Sequence, residues 1–139
     1  MNKEKTAFWR YALGTLVFVA IHFLAPALIF LLNRIMDLFT PGYLRVSETE
    51  NVIWAWFIGY ILAAVMNCQA TLTIVKENKL FVSVLCFIAA AYSFFVSAWN
   101  YAIGLNSLVI TLAIIAGGIS YLALGITMFN EHSHSKEGN

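Results

Sequence analysis

The chain has 139 residues, of which 61% are hydrophobic and 11% charged, and a mean hydropathy of +0.80. A soluble domain carries roughly 25% charge, and a fold of this size buries only about 70% of its unfolded surface, so a water-soluble globule is excluded. A net charge of +1 gives no electrostatic basis for binding nucleic acid.

Four apolar stretches follow one another along the chain. The first, Tyr11 to Leu32, is long enough to cross about 30 Å of hydrocarbon at about 1.5 Å per residue. It is not a cleavable signal: its apolar run is too long, and Asn33, Arg34, Ile35 and Met36 follow in place of a small-residue cleavage site. Ile35, Met36, Leu38 and Phe39 extend the helix, giving helix one at about 11–39. Thr40-Pro41-Gly42 is a turn signal, because proline fixes φ and glycine accepts positive φ. Ser47-Glu48-Thr49-Glu50 reads as a capping box that starts helix two, at about 48–76. Lys76-Glu77-Asn78-Lys79 is a tight hairpin into helix three, at about 80–99. A short link containing Gly104 leads to helix four, at about 106–129, and a polar tail follows. Short links make sequential helices antiparallel neighbours. The expected fold is an all-α polytopic membrane protein, a four-transmembrane-helix antiparallel bundle, in one integral membrane domain over 1–139.

The charges assign an orientation. Lys3, Lys5, Arg10, Lys76, Lys79 and Lys136 lie on one side, and Arg34 and Arg45 on the other. Six basic residues against two place both termini in the cytoplasm. Phe8, Trp9 and Tyr11 mark the inner border, and Trp54, Trp56, Trp99 and Tyr101 the outer one. A compact chain with this pattern fits a bacterial inner (plasma) membrane.

Within lipid, apolar surface gives no drive for helix association, so small and polar residues mark the contacts. Helix two has Ala55, Gly59, Ala63, Asn67 and Thr71 at four-residue spacing. Helix three has Ala89, Ser93 and Ser97; helix four has Ala113, Gly117, Tyr121 and Gly125, with Gly118 beside them. Gly59, Ala63, Ser93, Ser97, Gly117 and Gly125 are the expected packing positions.

His22 is the most informative single residue. It lies near the middle of helix one, where an ionisable side chain is costly and marks a functional site by default. Pro26 has no N–H, so the His22 carbonyl lacks its helical partner. His22, Pro26, Asn67 and Thr71 form the candidate polar intramembrane site. A purely structural role competes with this: His22 hydrogen-bonded across to Asn67 or to a serine. Asn67 and Thr71 share one face of helix two, and Gln69 and Thr73 another, so one of the two pairs is expected at the headgroup border.

Cys68 and Cys86 lie at similar depth and have no CxxC spacing. Buried thiols among apolar neighbours are inert, so they are read as structural. His132 and His134 in the tail do not make a metal site, which wants four ligands in fixed geometry. No Asp, Glu, Lys or Arg lies within an apolar stretch, and no hydrolase, zinc-protease or phosphate-loop motif is present. The expectation is therefore a non-catalytic protein with no cofactor and no metal. It would contact the lipid bilayer and another membrane protein, or a second copy of itself, as an accessory subunit, assembly factor, or immunity or exclusion protein. The alternative is a small oligomeric transporter or channel with a polar path near His22 and Asn67.

Overall fold

In the computed structural model, residues 3–39, 48–104 and 108–137 are described; for 3–5, 26, 29–30, 33–34, 36–39, 48–55, 109 and 136–137 this means the backbone alone. The Thr40-Pro41-Gly42 turn and the Ser47 cap lie outside the described residues. Four helices account for nearly all of the remainder: α1 (Lys3–Phe39), α2 (Glu48–Ile74), α3 (Lys79–Ala102) and α4 (Leu108–Glu137). Each contains a segment long and apolar enough to cross a membrane: Thr6–Ala25, Trp56–Ile74, Lys79–Ala102 and Ile110–Ser135. The chain is an all-helical, multi-pass membrane protein. Hydroxyls within the spans fit this solvent. Thr15, Thr73, Ser120 and Thr127 each donate to the carbonyl four residues earlier, so these four hydroxyls are not left open to lipid.

At one end of the bundle, here the terminal end, α1 begins, α2 joins α3 and α4 finishes. Its joint is tightly built. Lys76 (φ 54°) and Glu77 (φ 60°) turn left-handed, and the Glu77 N–H donates to the Leu72 carbonyl at 2.8 Å, stopping α2. Asn78 then caps α3 by accepting from the Phe81 N–H at 3.1 Å. The same side chain donates to the Tyr11 hydroxyl at 2.9 Å, which ties the joint to α1.

Three features differ from the sequence expectation. First, α4 does not stop near 129 but continues helical to Glu137. It passes over the α3 start, where Lys79 and Glu131 pair at 2.6 Å. His132 and His134 therefore stand on different faces of a helix, because residues two apart do not face each other. Second, α1 begins at Lys3, ahead of its apolar stretch, and α2 ends at Ile74.

Third, α2 and α3 are consecutive but meet only sparsely. The close pairs are α1 with α2, α3 with α4, and α2 with α4. The reason lies in the glycines of α4. A Cβ on Gly117 would stand 2.9 Å from the Tyr60 Cβ of α2, while Gly118 and Gly125 lie against Ser93 and Cys86 of α3. The bare faces of α4 let it approach both neighbours, and α2 is drawn to α4. Around the bundle the order is α1, α2, α4, α3, and a groove separates α3 from α1.

Phe18, Ala64, Cys68, Val75, Val82, Cys86, Ala89, Ala90 and Tyr121 fill the core. Ser83 adds a cross-helix bond, donating to the Gly125 carbonyl at 2.8 Å.

Candidate functional site

Three helices send one polar side chain each to a common point. His22 of α1 is 8% exposed, and Asn67 of α2 and Tyr121 of α4 are fully buried. Asn67 Nδ2 donates to the Tyr121 hydroxyl. The hydroxyl lies 3.0 Å from His22 Nδ1. Nδ1 is thereby engaged by the hydroxyl. Nε2 points away from Tyr121, and no partner for it occurs among the described residues. The contacts of Asn67 with Tyr121 and of Tyr121 with His22 thus set the direction of the imidazole.

The fourth helix closes the site with rings. Tyr92 of α3 and Phe23 of α1 present edge contacts to His22, with centroids 6.0 and 5.0 Å away. Phe18 packs against Tyr121 on the other side, at 5.6 Å.

The candidate residues are therefore separated into those that join the site and those that do not. His22 and Asn67 are brought together, but through Tyr121 and not by the direct bond expected. An intervening phenol is needed because α1 and α2 present their polar groups toward α4, the helix between whose glycines Tyr121 stands. Thr71 is buried one turn below Asn67, and its hydroxyl has no partner among the described residues. Pro26 lies within α1, but its side chain is outside the described residues. Gln69 and Thr73 are exposed, on the face opposite Asn67 and Thr71. Gly59, Ala63, Ser93, Ser97, Gly117 and Gly125 are all buried. Tyr121 is the functional residue that the sequence did not single out. Its signal was present: a lone phenol in a row otherwise made of alanine and glycine.

Cys68 and Cys86 are free thiols whose sulfurs lie 3.2 Å apart, both fully buried in the core. They bridge α2 and α3 where those helices otherwise scarcely touch.

Space is distributed unevenly. The terminal half of the bundle is filled by the core residues. Toward the other end, a cavity of about 200 Å³ lies among all four helices, walled by Trp56, Tyr60, Tyr92, Ser93 and Ile114, with His22 at its edge. A second, wider space of about 360 Å³ is the groove between α1 and α3. Both spaces share His22, Phe23 and Tyr92.

The site and fold define a class, a polytopic α-helical membrane protein with a buried histidine relay. No family model matches the chain, and neither a curated protein nor a solved structure resembles it.

Proposed function

We propose that this chain is a non-catalytic membrane protein that works by contact with a second membrane protein, as an accessory subunit, assembly factor, or immunity or exclusion protein. The observation that carries this reading is the state of α1. Only 17% of its spanning segment is buried, against 33–39% for the other three. Leu13, Leu16, Leu24, Leu28 and Leu31 are all exposed. Its extended close approach is to α2, with side-chain contacts from Tyr11, Phe18 and His22 to α3 and α4, and packing is what drives helix association in lipid. The buried polar groups His22, Asn67, Tyr121 and Ser83 support a non-catalytic role, because they bond the helices to one another. Among the described residues no carboxylate stands beside His22 to make it an acid or base.

The test is assembly size. Extracted in mild detergent from its own membrane, the chain should migrate as a complex larger than a 15.5 kDa monomer in a micelle. Leu24→Trp on the open face of α1 should release the monomer without lowering its melting temperature. A monomer in the wild type counts against the proposal.

The same reading puts both termini in the cytoplasm and the chain in a bacterial inner membrane, supported by the six-to-two distribution of basic residues. Glu77→Cys, at an exposed position in the terminal-end joint, should resist an impermeant maleimide in intact cells and react after lysis. Labelling in intact cells reverses the orientation.

One observation favours a second reading, a small transporter. The cavity among the four helices reaches His22 from one side. On that reading His22→Ala and Asn67→Ala abolish function in a chain that still folds; on the first they spare it.

A further inference from the structure

Cys68 and Cys86 are reactive groups that the His22 cluster does not use. Cys68 belongs to α2 and Cys86 to α3, and their sulfurs are 3.2 Å apart. Both are free thiols and fully buried in the core. The two helices otherwise meet only sparsely, so a bond here would join elements that packing leaves nearly separate. Closing the sulfurs to a bonded distance of about 2.05 Å takes a movement of about 1 Å, which a small side-chain rotation supplies. Burial makes each thiol inert toward bulky or charged reagents. A small neutral reagent has a shorter path. Leu72 packs against the core cluster that contains Cys68, and it also lines a pocket at the terminal-end joint with Gln69, Thr73 and Lys76. One flexible side chain thus belongs both to the packing of that cluster and to the wall of an accessible pocket.

We propose that Cys68 and Cys86 form a redox-sensitive lock between α2 and α3, closed to a disulfide by a hydroperoxide. The sulfur of one thiol attacks the hydroperoxide. The O–O bond breaks, one oxygen stays on the sulfur as a sulfenic acid, and the other leaves as an alcohol or as water. The second thiol, already in contact, attacks the sulfenic sulfur. The S–O bond breaks, the S–S bond forms, and water carries away the hydroxyl with the remaining thiol proton. The two sulfurs lose two electrons and the hydroperoxide gains them. A resolving thiol at contact distance stops oxidation short of the sulfinic acid. A charged tripeptide reductant such as glutathione is too large for the same path, so the closed state outlasts contact with a reducing cytoplasm. The lock acts on the α2–α3 seam, so it is independent of any protein that covers the outer face of α1.

The test treats the full chain in phosphatidylcholine nanodiscs with hydrogen peroxide or with cumene hydroperoxide, then denatures it in excess N-ethylmaleimide. The treated chain should have the mass of the unmodified protein less two hydrogens and take no maleimide, whereas the untreated chain takes two. Trypsin cuts after Lys76 and Lys79, so the peptides carrying Cys68 and Cys86 should stay joined until they are reduced. Faster closure by cumene hydroperoxide identifies a lipid hydroperoxide as the oxidant class, and faster closure by hydrogen peroxide an aqueous one. The closed chain should melt about 5 °C above the reduced chain, because the bond closes a loop of 18 residues. A chain carrying Cys68→Ser, Cys86→Ser and Glu77→Cys presents one exposed thiol and shows that the oxidant is active. Two maleimides on treated wild type, under conditions that oxidise that exposed thiol, overturn the proposal. So does sulfinic or sulfonic acid at either cysteine in place of the cross-link, a cross-link between two copies, or a closed chain that melts below the reduced one.

Discussion

Tyr121→Phe should destabilise the bundle by about 2 kcal/mol, although it removes a single oxygen atom. The ring stays, so its packing against Phe18 is kept. What goes is the hydroxyl that accepts from Asn67 and is hydrogen-bonded to His22 Nδ1. Two buried groups on two other helices lose their partner together. In a soluble core each would cost about 1–3 kcal/mol. Single hydrogen bonds within membranes average about 0.6 kcal/mol and reach about 1.7, because the separated helices find other partners in lipid. Two such losses bring the total to about 2 kcal/mol. Unfolding of the purified chain in mixed micelles measures it directly. A double-mutant cycle separates the branches: on an Asn67→Leu background, Tyr121→Phe should cost about 1 kcal/mol less than in the wild type, because one of its two partners is already gone. Equal costs on both backgrounds, or a cost below about 0.5 kcal/mol in the wild type, would show that the relay does not hold the helices together.

Gly117→Leu should abolish the stable bundle, and Gly117→Ala should already lower stability by about 1–3 kcal/mol. The number that decides this is the 2.9 Å between a Cβ built on Gly117 and the Cβ of Tyr60. A Cβ is attached directly to the backbone and cannot swing aside, so α2 and α4 must move apart. This contact also explains why α2 lies on α4 and not on α3. At Gly118 and Gly125 the nearest atoms belong to the rings of Phe94 and Phe87, and the β-carbons of Ser93 and Cys86 stand 3.2 Å away. Those rings can turn toward lipid. Alanine at Gly118 or Gly125 should therefore cost less than at Gly117. The ranking is read from melting temperatures in one detergent. A Gly117→Ala protein as stable as wild type would place the α2–α4 contact elsewhere.

Much of the architecture is local and was legible residue by residue. Four apolar stretches of sufficient length require four crossings, since only a helix satisfies its own backbone in lipid. The small-residue rows of α2, α3 and α4 gave the buried faces, because close approach of helices needs absent side chains. The cost of a histidine in hydrocarbon pointed to His22 before any neighbour was known. The end of α4 was not legible: its last two turns are polar, and a polar segment reads as tail unless a partner such as Lys79 lies beneath it.

The tertiary structure alone decided which helices are neighbours and which groups meet. Hydropathy fixes where a helix crosses, and the small-residue rows mark its inner face, but neither says which helix that face will meet. The short joint at Lys76–Asn78 implied an α2–α3 pair, yet the glycine faces of α4 outweigh chain proximity. In the same way, His22 and Tyr121 are 99 residues apart, and no periodicity within either helix links them. Their bond exists because the approach of α4 to α2 carries the phenol to mid-bundle, within reach of both His22 and Asn67. The open seam between α1 and α3 follows from the same packing: with α4 against both α2 and α3, α1 makes its extended approach to α2 and leaves a groove on its α3 side.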